Sequence, residues 1–148
     1  MRDIRLLSGP LDPNAALDSL TAATPNAGGI ASFTGKVRAG DDVEALQLSH
    51  YEPLTLAGME ELGDQAFARF DLMGLTMIHR TGLLLPGEPI VFVAAASIHR
   101  RDAIAATDFA MDHLKSSAWF WKREKRSGEW HWIEPRDQDF TDKARWDA

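Results

Sequence analysis

The segment Pro89–Ser97 constrains the fold of this chain more than any other stretch. It reads PIVFVAAAS, a near-continuous apolar run of strand length that lacks the alternation of a half-exposed strand. A strand that is apolar on both faces has to be covered on both faces, usually by helices. The run is also far shorter than the roughly 18 apolar residues of a membrane-spanning helix. We therefore expect a sheet packed between helices, and no membrane partner.

Apolar periodicity along the rest of the chain predicts the other elements. Helical spacing covers three segments, which are Asp12 to about Leu20, Pro53 to about Phe70, and Arg100 to Ser116. Strand-like patterns cover residues 4–7, 29–38, 43–51, 72–79, 119–124 and 129–134. The short turn 39–42 between two of these strands indicates a hairpin. The 148 residues suit one domain, of the α+β class, with a mixed or antiparallel sheet and about three helices.

The composition excludes several kinds of chemistry. The chain has no cysteine, which rules out a disulfide scaffold, a thiolate zinc site and a cysteine nucleophile. Its histidines lack metal-ligand spacing, and neither a dinucleotide-binding glycine motif nor a phosphate-binding loop occurs. We therefore expect no metal and no cofactor. The N-terminus has no apolar core of signal-peptide length, so a cytoplasmic protein is expected.

Positive charge and tryptophan are concentrated in the last third of a chain whose net charge is −6. Residues 115–126 hold five basic residues against Glu124 alone, and all five tryptophans lie at or after Trp119. This segment fits an anion site or a partner surface, and, like most charge runs, it also fits a solvated face. Aromatic residues beside basic ones would suit a single-stranded nucleic acid, but the acidic net charge counts against that partner.

The start of the third predicted helix is unusually basic. Ser97 is the expected N-cap, and His99, Arg100 and Arg101 follow in the first turn. Cations there oppose the helix dipole, whereas free backbone N–H groups flanked by Arg and His make a natural phosphate site. The alternative is that Asp102 and neighbouring acids simply balance the arginines.

Two lysines are spaced so that the fold can bring them together. Lys115 lies near the end of the third helix, and Lys122 follows seven residues later on the next predicted strand. If the helix stops near Ser117, that strand can fold back toward Lys115. Two adjacent lysines lower each other's pKa, which prepares one of them as a neutral base. The alternative is two independent surface lysines.

Four stretches of the sequence carry a resemblance to a known family. They read FTGKVR at 33–38, IHRTG at 78–82 with PGE at 86–88, SIHRR at 97–101, and MDHLK at 111–115 followed by FWKRE at 120–124. In order and spacing these stretches resemble the large, catalytic subunit of molybdopterin synthase. The resemblance spans about residue 28 to Trp146, and it leaves the N-terminal segment 1–27 unmatched.

The resemblance implies an α/β-hammerhead-like sandwich and a sulfur-transfer reaction. The family's enzyme converts cyclic pyranopterin monophosphate to molybdopterin by installing two sulfurs as a dithiolene. The sulfur arrives as a thiocarboxylate on the C-terminal Gly-Gly tail of a small ubiquitin-like subunit, which inserts into a pocket of the large subunit. Two large subunits form a central homodimer, with one small subunit at each end of the heterotetramer.

The matched positions imply roles for individual residues. Lys115 and Lys122 match the two lysines of the family's catalytic centre, which transfer protons and stabilise developing negative charge. The implied substrate-binding residues are the basic Arg38, His99, Arg100 and Arg136 and the apolar Phe33 and Met111.

Two positions depart from the family pattern. Trp119 stands where the family commonly has proline, and the turn 39–42 is shorter than usual. The alternative function is a non-catalytic module of the same fold that binds a ubiquitin-like tail or a phosphorylated ligand. Retention of both lysines together with His99 and Arg100 argues against that alternative.

Overall fold

The computed structural model describes residues 1–40, 42–116 and 119–147, which form an α+β fold of two sheets and four α-helices. The strands are β1 (Arg2–Leu7), β2 (Gly29–Lys36), β3 (Val43–His50), β4 (Gly74–Arg80), β5 (Gly82–Leu84), β6 (Pro89–Ser97), β7 (Phe120–Arg126) and β8 (Glu129–Ile133). The helices are α1 (Pro13–Ala23), α2 (Leu54–Arg69), α3 (Arg100–Ser116) and α4 (Asp137–Ala144), and a 3-10 turn (Arg145–Asp147) follows α4. Within the described ranges, no helix is both long and apolar enough to cross a membrane.

The first sheet has the strand order β1-β4-β6-β2, and its β6 strand is buried as its sequence predicts. Alternate β6 residues enter two different clusters. Val91, Val93 and Ala95 pack with residues of α2 and α3, whereas Phe92, Ala94 and Ala96 pack with α1. Helices therefore cover both faces of this sheet, which explains why β6 is apolar from Pro89 to Ala96.

The second sheet has the order β5-β3-β7-β8, and it overturns the predicted hairpin. β2 pairs with β6 in the first sheet, whereas β3 pairs with β5 and β7 in the second. The chain changes sheets at Val37, whose N–H donates to the Glu88 carbonyl and whose side chain joins Leu46, Leu48 and Leu84 in the second core. Alternation fixes which face of a strand is buried, but it does not fix the strand's partner.

Two further predictions about helices are corrected by the structure. Ser97 does not cap α3, because its hydroxyl donates to the Asp71 carbonyl at 2.6 Å and the helix begins three residues later, at Arg100. The chain also forms α4, beyond the three helices expected. Its sequence DQDFTDKA has one large apolar residue, Phe140, so it carries no apolar period that could reveal it.

The end of the described chain is fastened to α3 by a carboxylate. Asp112 accepts a hydrogen bond from the indole N–H of Trp146 at 2.7 Å and forms an ion pair with Arg145 at 2.5 Å. Arg145 also contacts Asp108 one turn earlier, at 3.1 Å. These contacts hold α4 and the 3-10 turn against the half of α3 that carries Lys115.

We predict that Gly28→Ala destabilises the fold because the residue lies too close to the backbone before α3. A Cβ at position 28 would lie 2.0 Å from the Ile98 carbonyl oxygen, and Gly28 also donates its N–H to Ser97. Overpacking of this kind costs about 2–3 kcal/mol. Urea unfolding should show that loss, with Gly9→Ala as the matched control because nothing lies within 4 Å of its Cβ. Equal unfolding midpoints for the two variants would contradict the predicted crowding.

Candidate active site

Helix α3 organises the predicted site because it runs alongside β2 in the same direction. A Cβ at Gly29, where β2 begins, would lie 3.3 Å from the Cα of Arg100, where α3 begins. Further along both elements, the Thr107 hydroxyl donates to the Ala31 carbonyl at 3.2 Å. Residues that follow β2 are therefore carried toward the same end of the molecule as the last turn of α3.

The apolar pair predicted to contact substrate lies midway toward that end. From Thr107 to Met111 the helix rises about 6 Å, and from Ala31 to Phe33 the strand advances about the same distance. Phe33 pairs with Val93, so its side chain is on the face of the sheet that α3 covers. Met111 is buried, whereas Phe33 keeps 44% of its surface exposed. Phe33 is thus available to a ligand, whereas Met111 belongs to the core between the first sheet and helices α2 and α3.

The two lysines lie at the C-terminal end of α3, and each lies within electrostatic reach of the other. Lys115 is exposed in the last turn of α3, which ends at Ser116, and Lys122 is partly buried on β7, which begins at Phe120. Burial lowers the pKa of Lys122 below its ordinary value, and the charge of Lys115 lowers it further. The structure therefore favours the paired interpretation of these lysines over two independent surface residues.

Charged groups from α4 and β7 surround this lysine pair. Asp139 and Glu124 raise the pKa of Lys122, and Arg136 lowers it, although burial and Lys115 outweigh these effects. Asp139 accepts from the backbone N–H of Arg136 at 3.1 Å and from its guanidinium at 3.3 Å. Arg136 therefore stands beside the lysines with most of its side chain exposed. Arg38, also exposed, follows the end of β2 on the same side of the molecule.

The remaining predicted substrate-binding residues lie at the opposite end of α3. His99 and Arg100 line an open groove of about 580 Å³ together with Arg101, Ile104 and Ala105. Because 15 residues of helix separate Arg100 from Lys115, the two are about 22 Å apart along the axis. A single chain therefore does not bring His99 and Arg100 to the lysines.

Asp102 does not balance the charge of the arginines in this groove, which was the alternative that the sequence left open. The Asp102 carboxylate accepts a hydrogen bond from the backbone N–H of Asp71 at 2.9 Å. It is therefore held by the segment before β4 and not by an arginine. No salt bridge to Arg100 or Arg101 occurs within residues 1–40, 42–116 and 119–147. Both guanidinium groups are exposed and available to an anion.

The rest of the basic, tryptophan-rich segment has its own partners. Arg123 lies over the rings of Trp130 and Trp132, at 4.5 and 5.9 Å from their centroids. Its Nε also donates to the Gln47 side chain at 2.7 Å. This arginine is held in a cation–π arrangement on the second sheet, on the face of β7 opposite to that of the neighbouring Lys122.

This chain is similar in sequence to known proteins over most of its length. The sequence model of the family described as "MoaE protein" matches residues 6–117. The chain belongs to the MoaE family. A relative named molybdopterin synthase catalytic subunit from Pasteurella multocida is 44% identical over 151 residues, covering 99% of this chain and all of the relative. A relative of the same name from Caulobacter vibrioides is 41% identical over 145 residues, covering 97% of each chain.

Solved structures share this fold over 90% or more of the chain. The molybdopterin biosynthesis MoaE protein from Burkholderia ambifaria superposes with a TM-score of 0.85 at 38% identity, covering 100% of this chain and 99% of that one. A structure from Helicobacter pylori has a TM-score of 0.77 at 22% identity over 90% of this chain and 91% of that one. It is described as a protein–protein complex of subunits 1 and 2 of molybdopterin-converting factor.

Two groups beside the lysine pair are not among the site residues predicted from the sequence. One is His79 at the end of β4, on which the charges of both lysines act. Asp139 lies in α4, which the sequence does not reveal. Only the IHRTG motif around His79 offered a signal, since Asp139 is one acid among several in an irregular stretch.

Within the described residues, no three His, Asp or Glu side chains are grouped closely enough to hold a metal ion.

Proposed function

We propose that this chain is the catalytic subunit of a molybdopterin synthase, a sulfur-transfer enzyme. The observation that carries the proposal is the lysine pair, in which partial burial and the charge of Lys115 lower the pKa of Lys122. A lysine whose pKa is lowered gives up its proton more readily than an ordinary surface lysine, which suits it to proton transfer. The full-length similarity to relatives named molybdopterin synthase catalytic subunit supports this assignment.

The reaction proposed is the conversion of cyclic pyranopterin monophosphate to molybdopterin. The thiocarboxylate sulfur of a small partner attacks a side-chain carbon of the pterin, and a carbon–oxygen bond at that carbon breaks as the new carbon–sulfur bond forms. Over the two transfers, one displaced oxygen stays on the phosphate as its ring opens, and the other leaves as water after protonation. Lys115 and Lys122 transfer protons to and from the reacting groups and stabilise the negative charge that develops. Water then releases the partner with a carboxylate end, and a second thiocarboxylate repeats the step to complete the dithiolene. The cyclic phosphate opens during this sequence.

The proposed partner is a small ubiquitin-like sulfur carrier that ends in Gly-Gly. The chain has no cysteine, so it offers no thiol of its own for the transfer, and a partner has to bring the sulfur in. The Helicobacter pylori complex of two subunits, which shares this fold, is consistent with such a partner. We expect the assembly to act in the cytoplasm without a bound cofactor.

The proposed homodimer is supported by the separation of the anion-binding residues. Arg38 and Arg136 lie at the lysine end of α3, whereas His99 and Arg100 lie about 22 Å away at its start. A two-fold dimer that sets the start of α3 from one chain beside the lysines of the other would gather all four around one phosphate. Large apolar side chains are exposed at these places, including Ile98 at 53% and Ile104 at 58%. Exposed apolar surface of this kind is typical of an interface.

We predict that the purified chain forms molybdopterin when mixed with thiocarboxylated small subunit and cyclic pyranopterin monophosphate. Mass spectrometry should show a product that has gained two sulfurs, with about two thiocarboxylates consumed per product. Small subunit with an ordinary carboxylate end is the control and should give no product. Absence of product with intact thiocarboxylate would refute the proposal. Tight binding of the small subunit without product would instead favour the non-catalytic module.

A further inference from the structure

A buried histidine lies where the two sheets meet, next to the lysine site. His79 is near the end of β4, paired with Leu6 of β1 and Val91 of β6, and only 8% of its surface is exposed. Its ring stacks on Phe120, the first residue of β7, with centroids 3.9 Å apart and planes inclined by 17°. The stack therefore joins the first sheet to the strand of the second sheet that carries Lys122.

The protonation of His79 is fixed by its hydrogen bond. Its Nδ1 lies 2.7 Å from the Arg80 carbonyl oxygen, which can only accept, so Nδ1 carries the proton. Burial lowers the pKa of His79 to about 4, and the charges of Lys122, Lys115 and His50 contribute to this lowering. Near neutral pH the ring is therefore uncharged, with an unprotonated Nε2.

Phe120 and Lys122 are two residues apart on β7, so their side chains emerge on the same face of the strand. Phe120, which carries the stack, and Lys122 therefore share one face of β7, and the charge of Lys122 acts on His79. The charged groups that act on Lys122 are Lys115 from α3, Glu124 from β7, and Arg136 and Asp139 from the α4 region. Burial outweighs each of these charges in setting the pKa of Lys122.

We propose that the stacked pair of His79 and Phe120 forms the floor of the lysine site, and that His79 is a positioning residue that keeps the surroundings of Lys122 dry and uncharged. A phenylalanine at position 79 would fill the same space without the hydrogen bond to Arg80. An alanine would admit water, and the ammonium form of Lys122 would then be favoured. The bearing of this floor on catalysis rests on the proposed function, whereas its effect on Lys122 does not.

The proposal is tested by measuring the titration of Lys122 in the folded full-length chain by NMR, with the signal of its Cε assigned through Lys122→Arg. In His79→Ala we expect the Lys122 pKa to rise by about one unit. In His79→Phe and in the control His131→Ala, at an exposed histidine of β8, we expect it to stay within a few tenths of a unit. An unchanged pKa in folded His79→Ala would overturn the proposal. A pKa in His79→Phe equal to that of an ordinary surface lysine would overturn it too.

If His79→Ala fails to fold, Phe120→Ala removes the other half of the stack, and the same rise is expected there. A second measurement separates positioning from mere stability. Activity against pH should show its lysine-dependent limb displaced to higher pH in His79→Ala, with KM little changed. Uniform loss at every pH with the limb in place would mean a structural role and would overturn the proposal. The NMR titration needs no substrate, so the predicted rise in the Lys122 pKa can be observed even in a chain that makes no molybdopterin. Likewise, a chain that makes molybdopterin can fail to show that rise, and the two proposals are therefore tested separately.

Discussion

Lys115→Ala should lower the rate of molybdopterin formation by about 10³-fold while leaving the fold intact. Lys115 is exposed at the end of α3, so the truncation removes no core packing. It removes a positive charge and a proton donor from the pair, and the pKa of Lys122 should then rise because the charge of Lys115 helps to lower it. Both consequences slow a step in which protons move and negative charge develops.

The measurement is single-turnover product formation with thiocarboxylated small subunit in excess. Lys125→Ala is the matched control, because Lys125 is on the same strand as Lys122 but three positions later, on the opposite face. Circular dichroism and sedimentation should show an unchanged fold and assembly in both variants. Full activity in Lys115→Ala would remove this residue from the mechanism.

Mixing two inactive variants should restore activity if each site is built from two chains. One variant is Lys115→Ala, and the other carries both His99→Ala and Arg100→Ala. In a random mixture half of the dimers contain one chain of each kind, and in those one of the two sites has every group intact. About a quarter of wild-type activity should therefore return, where each variant alone has almost none.

The control for this experiment is a mixture of Lys115→Ala with Lys122→Ala. The structure brings these lysines together within one chain, so every mixed site lacks one of them and no activity should return. Subunits should be exchanged under mild denaturant and assayed below the KM for the cyclic substrate. If the first mixture stays inactive, or if both mixtures recover equally, the site is not shared between chains in the way we propose.

The sequence predicts best those elements whose own residues are apolar enough to indicate that the element is buried. Pro89–Ser97 is apolar at every position before Ser97, and it is a strand covered on both faces. The predicted hairpin failed because alternation in β2 and β3 says nothing about partners, and Val37 carries the chain from one sheet to the other. Helix α4 was missed because its contacts are mainly charged, and charge leaves no period to detect.

The candidate site was predictable in part. The spacing of Lys115 and Lys122 was enough to suggest that the strand folds back beside the helix. The separation of Arg100 from Lys115 was also present in the sequence, because both lie in one predicted helix and its rise sets their distance. The resemblance placed them in one pocket, and the geometry of a single chain does not. The role of His79 depends on a ring from the other sheet, which no local pattern indicates.

The attachment of Arg145 and Trp146 to Asp112 has a consequence for how an anion approaches the protein. Asp112 is the carboxylate nearest in sequence to Lys115, and it is already committed to these two residues. Asp112 therefore does not neutralise Lys115, while Asp139 and Glu124 offset part of the charge of Lys122. On a chain whose net charge is −6, a phosphorylated substrate of the kind we propose would be attracted to the basic groups at the two ends of α3, so electrostatic steering would favour these places before any hydrogen bond forms.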